Sequence, residues 1–236
     1  MTVERALAVV AHPDDLDFGA AGTVASWVDE GIEVTYLLCT NGDAGGFDPA
    51  VPREDIAGIR QDEQRAAAKA VGVTDVRFLG YPDGQLTPSF ELRRDISRVI
   101  RQVRPQRVLT QSPEINWERI AASHPDHRAA GEATLNAVYP DARNPFTHTA
   151  LLLDEGLEAW TVHDLWVMSA GQGANRFVDV TGTFDRKLAA LREHHSQVSH
   201  RDDLEDMLRG WLGATATHAG LPEGSLAESF RVVAIP

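Results

Sequence analysis

Between residues 6 and 110 the chain repeats one pattern: a short apolar run, a longer stretch with helical spacing that ends at glycine or proline, then another apolar run. Residues 6–11 and 32–38 are aliphatic or β-branched on both faces, as strands covered on both sides must be. Between them, residues 19–30 read as a helix stopped by Gly31, a residue suited to the left-handed turn that closes helices. Residues 55–71, rich in alanine, close at Gly72 and lead to a strand over 75–79. Residues 92–103 are halted by Pro105 and lead to a strand over 107–110. Crossovers of this length join parallel strands, so the pattern predicts an α/β fold: a mostly parallel sheet with helices on both faces. The second half is less regular. It reads as a helix over 125–139, short strands at 150–153, 164–169 and 177–180, and a helix over 184–194 with Thr183 as its N-cap. No repeat or flexible linker interrupts the chain, and 236 residues suit one α/β domain.

In Rossmann-like sheets, ligands collect outside the carboxyl ends of the strands. The polar segments of this chain fall there: His12-Pro13-Asp14-Asp15 after the first strand, Thr40-Asn41-Gly42-Asp43 after the second, Tyr81-Pro82-Asp83-Gly84 after the third, and residues 111–127 after the fourth. Each alone reads equally well as a turn, because Pro, Asp, Asn and Gly form turns for local reasons. The first segment has a counterpart, His124-Pro125-Asp126-His127, in the last. Two His-Pro-Asp tetrads at strand ends of one sheet exceed what turn chemistry explains. His124 and His127, three apart behind a helix-starting proline, share a helix face. Two imidazoles and one carboxylate with no thiolate leave an open coordination position, the mark of a catalytic metal site. The set fits zinc and also the facial triad of non-haem iron.

Composition narrows the partners. Lys+Arg 22 against Asp+Glu 35 gives a net charge of −13, which disfavours nucleic acid and anionic membrane as partners. Cys39 is the one cysteine, which excludes an intrachain disulfide. No apolar run approaches the roughly 20 residues of a membrane span, and the N-terminus lacks a secretory leader. The expectation is a cytoplasmic protein acting on a small molecule, with self-association left open.

Ala11-His12-Pro13-Asp14-Asp15 with the distant His124-Pro125-Asp126-His127 resembles the N-acetylglucosaminyl-phosphatidylinositol de-N-acetylase family, the PIG-L or LmbE-like deacetylases. Residues 40–45, 60–63, 81–84 and 187–197 look like further blocks of that family. The resemblance implies a metal-dependent N-deacetylase acting on an amino sugar or glycoside, with zinc, or another divalent ion such as Fe2+, held by His12, Asp15 and His127. It implies Asp14 as general base and His124 as oxyanion donor or acid. Asp126 is placed behind an imidazole, and Arg60 and Asp83 at the sugar. Where many members have His-Pro-Asp-Asp-Glu, this chain has Leu16 and then Asp17. The tyrosine of the mycothiol branch is replaced by Ala122, so that pathway is not assigned.

Other readings compete. An amidase of thiol-sugar conjugates is the alternative within the family. A phosphatase using Asp15-Leu16-Asp17 as nucleophile motif leaves the second tetrad without a purpose. An iron oxygenase prefers a barrel and a different His/Asp spacing, and a sugar-binding module has no need of Asp14 and His124. Of the remaining histidines, His194 and His195 read as a hydrogen-bonded helix end, and Trp117 as a rim residue near the second tetrad.

Overall fold

The computed structural model describes residues 2–117, 119–168 and 173–236. In chain order the elements are β1 (Arg5–Val10), α1 (Asp15–Gly19), α2 (Ala21–Asp29), β2 (Glu33–Thr40), α3 (Arg53–Ala70), β3 (Asp75–Tyr81), α4 (Phe90–Val103), β4 (Arg107–Gln111), α5 (Pro125–Asn136), α6 (Thr149–Leu153), β5 (Asp164–Met168), β6 (Arg176–Asp179), α7 (Phe184–Glu193), α8 (His195–Val198), α9 (Leu204–His218) and β7 (Ala227–Ala234). One sheet carries all seven strands in the order β3-β2-β1-β4-β5-β7-β6. β1 to β5 run parallel, and β7 runs antiparallel between β5 and β6.

The period of two along β1 divides the core. Ala6, Ala8 and Val10 face α2, α3 and α7 through Ala21, Val24, Ala67, Ala68 and Ala190. Leu7 and Val9 face α4 and α5 through Leu92, Ile96, Ile100, Ala129, Ala130 and Ala133. Gly131 lets α5 lie directly on the end of β4, since a Cβ there would stand 2.3 Å from the Gln111 carbonyl oxygen. A third cluster joins Leu204, Leu208 and Leu212 of α9 to Phe184, Leu188 and Leu191 of α7.

The first half matches the expected strands and crossovers; the second departs from them in several places. The apolar run at 150–153 belongs to the single helical turn α6 rather than a strand, because four residues of that kind fit either state and length does not arbitrate. The expected helix at 19–30 begins earlier, at Asp15, and breaks at Ala20 (φ −150°) into α1 and α2. The helix over 125–139 loses regular geometry after Asn136, where Tyr139 leaves helical φ/ψ ahead of Pro140. Thr183 stands at the N-cap position of α7 as expected, but its hydroxyl makes no cap bond and donates instead to the Gly22 carbonyl. Strand β7 has no counterpart among the expected elements, and Ser169, expected to end β5, lies outside the described residues.

The order of the strands fixes the place of the site. From β1 the chain proceeds outward to β2 and β3, then returns to lay β4 on the other side of β1. The connections leaving β1 and β4 part in opposite directions and open a crevice at the carboxyl edge. Both tetrads stand at that crevice.

Candidate active site

Leaving β1, the chain turns sharply: Pro13 limits φ, and Asp14 takes a left-handed φ of 87°. That conformation costs a non-glycine residue roughly 1 kcal/mol or more, and α3 supplies the restraint. Ile56, Arg60 and Gln64 recur at i, i+4 on its buried stripe. The Asp14 backbone N–H donates to Gln64 Oε1 at 2.9 Å. Arg60 donates to the Pro13 carbonyl at 2.6 Å and the Gly42 carbonyl at 3.0 Å. Its guanidinium also stands 3.4 Å from Asp14 Oδ2. Gly42 and Gly45 make room for it, since a Cβ on either would reach within 2.4 Å of its Nη1.

Asp15 joins the tetrads. Its Oδ2 accepts from the His12 backbone N–H at 2.7 Å and lies 3.4 Å from His12 Nδ1, while Oδ1 lies 2.9 Å from His127 Nε2. The other ring nitrogen of His12 faces Asp83 Oδ1 at 3.0 Å and Asp126 Oδ2 at 3.2 Å. Asp126 also accepts from the Gly84 and Leu86 backbone N–H groups, which ties the loop after β3 to the start of α5. His124 is the N-cap of α5: its Nδ1 accepts from the Asp126 N–H at 3.2 Å, which leaves Nε2 as the donor of the neutral ring. The rings of His12, His124 and His127 stand 5.0–5.2 Å apart, centroid to centroid, with a nitrogen from each within 4.8 Å of the others.

The electrostatics separate the adjacent aspartates. Burial pushes Asp14 up to about 6, with Arg60 opposing the rise. Burial acts on Asp15 in the same sense, but the imidazoles of His127 and His12 outweigh it and hold the carboxyl below its ordinary range. For His12 burial disfavours the proton, yet Asp15 and Asp83 overcome it and raise the ring to about 11. His124 is lowered, by burial first and then by the neighbouring His12 and His127. The pocket of His12, Asp15 and His127 therefore attracts positive charge. That donor set, with carboxylates behind the far nitrogen of His12, is chemically fit for a divalent ion.

Arg60 and Asp83, expected at a sugar, are engaged by the site itself. Arg60 is buried against the Pro13–Asp14 turn; Glu63, its neighbour on α3, pairs instead with Ser196. Asp83 is turned onto His12 and the Ala44 N–H.

Comparison with known proteins agrees with the geometry. The family model for GlcNAc-PI de-N-acetylase, PIG-L, matches residues 7–138, which spans both tetrads. The chain belongs to the PIG-L family. It is 32% identical to diacetylchitobiose deacetylase of Thermococcus kodakarensis over 98% of this chain and 84% of that one. It is 35% identical to a probable N-acetyl-alpha-D-glucosaminyl L-malate deacetylase 2 of Bacillus cereus, over 81% and 82%. N,N'-diacetylchitobiose deacetylase from Pyrococcus horikoshii superposes with a TM-score of 0.88 at 29% identity, over 98% of this chain and 84% of that one. The fold itself serves other chemistry too: a 4-carboxy-2-hydroxymuconate hydratase, GalB, shares it at TM-score 0.79 and 19% identity.

Sequence reasoning missed what supports this PIG-L site from behind. Asp17 is fully buried, its Oδ2 bonded to Gln64 Nε2 at 2.9 Å and His194 Nε2 at 2.7 Å. That burial overturns the phosphatase reading, which needs Asp17 facing a substrate. Lys187 and Glu228 form a buried pair beneath the same turn. The available signals were Lys187 and His194 within one block, and an acid at position 17 where many members carry one at 16.

Proposed function

We propose that this chain is a zinc-dependent hydrolase that removes the N-acetyl group from an amino-sugar glycoside. The observation that carries the reading is the separation of roles within one turn: Asp15 lies between His12 and His127, while Asp14 stands outside that set beside Arg60. His12, Asp15 and His127 would hold the ion. When bound there, zinc supplies Lewis acidity and lowers the pKa of a coordinated water toward 7.

The chain's own residues do the rest. Asp14, displaced toward neutrality by burial, accepts a proton from the attacking water and returns it to the departing nitrogen. His124, kept neutral with Nε2–H directed away from its cap bond, donates to the oxygen that gains charge as the amide carbonyl is attacked. Asp83 and Asp126 fix the tautomer of His12. Arg60 and Gln64 hold Asp14 in its left-handed backbone.

The substrate class follows the relatives, whose names carry diacetylchitobiose, N-acetylglucosaminyl malate and 2-acetamido-2-deoxyglucopyranosyl inositol. A small molecule in the cytoplasm suits the acidic chain, and no helix of the described residues is long and apolar enough to cross a membrane. Primary amine released from N-acetylglucosamine and its glycosides, with and without chelator, tests the reading. Release that persists after the metal is stripped refutes the zinc dependence, and no release from any N-acetylated amino sugar refutes the substrate class.

A further inference from the structure

We infer that Trp117 is a stacking platform for the sugar ring that follows the N-acetylated one, making this site selective for a neutral disaccharide-type substrate. The inference rests on the deacetylase reading above and deepens it. Trp117 lies in the loop between β4 and α5, and this loop folds back on itself. The Asn116 N–H donates to Ser123 Oγ at 2.8 Å, the Arg119 N–H to Asn116 Oδ1 at 3.0 Å, and the Ser123 N–H to the Ile120 carbonyl at 2.8 Å. Ser123 directly precedes His124, so the closure holds the backbone at Trp117 close to the start of α5, where His124 is the N-cap. The loop is docked from outside by Arg119, whose guanidinium lies 5.0 Å from the Trp211 ring of α9.

Most exposed aromatic side chains here have a ring or guanidinium partner. Phe47 meets His200 edge-on, Phe90 packs on His148 at a tilt, Tyr139 lies under Arg143 and Trp211 under Arg119. Trp117 and Phe146 are each 82% exposed, and among the described residues no ring or guanidinium covers either. Phe146 lies in the connection from α5 to β5, outside the strand-end loop that leads into His124. Of the two, Trp117 alone belongs to the loop that joins β4 to the second tetrad. An indole left in water forgoes a large apolar burial, and a pyranose presents an apolar C–H face of matching size. The loop's one cation is turned onto Trp211, so nothing here favours a malate carboxylate over an uncharged ring.

The test compares zinc-loaded wild type with Trp117→Ala, Trp117→Phe and Phe146→Ala on N-acetylglucosamine and diacetylchitobiose. Binding of chitobiose, the fully deacetylated disaccharide, is followed in parallel by calorimetry. Trp117→Ala should raise KM for diacetylchitobiose and Kd for chitobiose by roughly tenfold, the worth of one aromatic stacking contact. Its kcat and its activity on the monosaccharide should not change. Trp117→Phe should keep most of the affinity, and Phe146→Ala should match wild type. Equal losses on both sugars, or none on either, would overturn the inference. If wild type releases no amine at all, the deacetylase reading fails separately, and chitobiose binding still decides: affinity lost with Trp117 supports the platform, and no binding overturns it.

Discussion

Replacing Lys187 by methionine removes the cation from beneath the active-site turn. Lys187 and Glu228 have 0% and 1% of their side chains exposed. Lys187 Nζ donates to Glu228 Oε1 at 2.8 Å, to the Asp17 carbonyl at 2.8 Å and to the Phe18 carbonyl at 2.7 Å. Glu228 also accepts from the Gly22 and Thr23 N–H groups at the start of α2. Methionine fills a similar volume but leaves a carboxylate charge buried with two neutral donors, and two carbonyls with none. Breaking one member of a buried pair costs roughly 3–5 kcal/mol. At roughly 2–4 °C per kcal/mol for a chain of this size, Tm should fall by about 6–20 °C. Scanning calorimetry checks this. Lys187→Met/Glu228→Gln should recover part of the loss, because no uncompensated charge remains, but not all, because the carbonyls of Asp17 and Phe18 stay unpaired. A Lys187→Met protein melting within about 2 °C of wild type, or a double variant no more stable than the single one, would refute the reasoning.

Asp14→Asn should keep fold and metal yet lose turnover by about two to four orders of magnitude, measured as kcat beside elemental analysis. Because the base must be ionised and its carboxyl is raised to about 6 in the metal-free chain, kcat/KM of wild type should fall as pH drops through 6 or somewhat lower, where a bound cation would move it. A limb that begins above pH 7 contradicts the assignment. His124→Ala should bind metal normally and lose roughly two to three orders of magnitude in kcat; metal loss equal to that of a ligand variant would make His124 a ligand. His127→Ala should purify with little metal, and a full equivalent in that protein would remove His127 from the set.

The parallel half of the fold was legible because β1 and β2 are covered on both faces, so their central residues are mostly apolar and the Gly31, Gly72 and Pro105 that close the crossovers stand out. β7 was not, because it mixes Glu228 and Arg231 with Val232 and Val233, and the reason for a buried glutamate lies on α7, far off in sequence. The helix α9 shows Leu204, Leu208 and Leu212 at i, i+4, but the acidic residues interleaved at its start, Glu205 and Asp206, obscure that stripe in the sequence. Within the site, the residues of the two tetrads could be named from their pattern. The bonds that Arg60 makes to the Asp14 turn and Asp83 makes to His12 could not: the neighbours that a charged residue near a strand end meets depend on which way its helix or loop faces. Here Arg60 braces Asp14 and Asp83 braces His12.

The two halves of the site stand on hydrogen-bonded neighbours far apart in the chain; the Ala11 N–H reaches Gln111 Oε1 across 100 residues at 3.0 Å. During synthesis β1 can pair with β2 early, but its other edge stays bare until β4 emerges. That edge belongs to a strand that is apolar from Ala6 to Val10, the kind that recruits other chains. A nascent or truncated chain ending before Arg107 therefore carries His12 and Asp15 beside an open, adhesive edge and has no His127 to complete the set. With the proposed ligand set, metal capture would report that β4 has arrived in register, and an ion bound only by the finished sheet would stabilise it by roughly 2.7 kcal/mol at a hundredfold excess over its Kd. Zinc present during refolding should accordingly raise the yield of soluble full-length protein, and do nothing for the fragment.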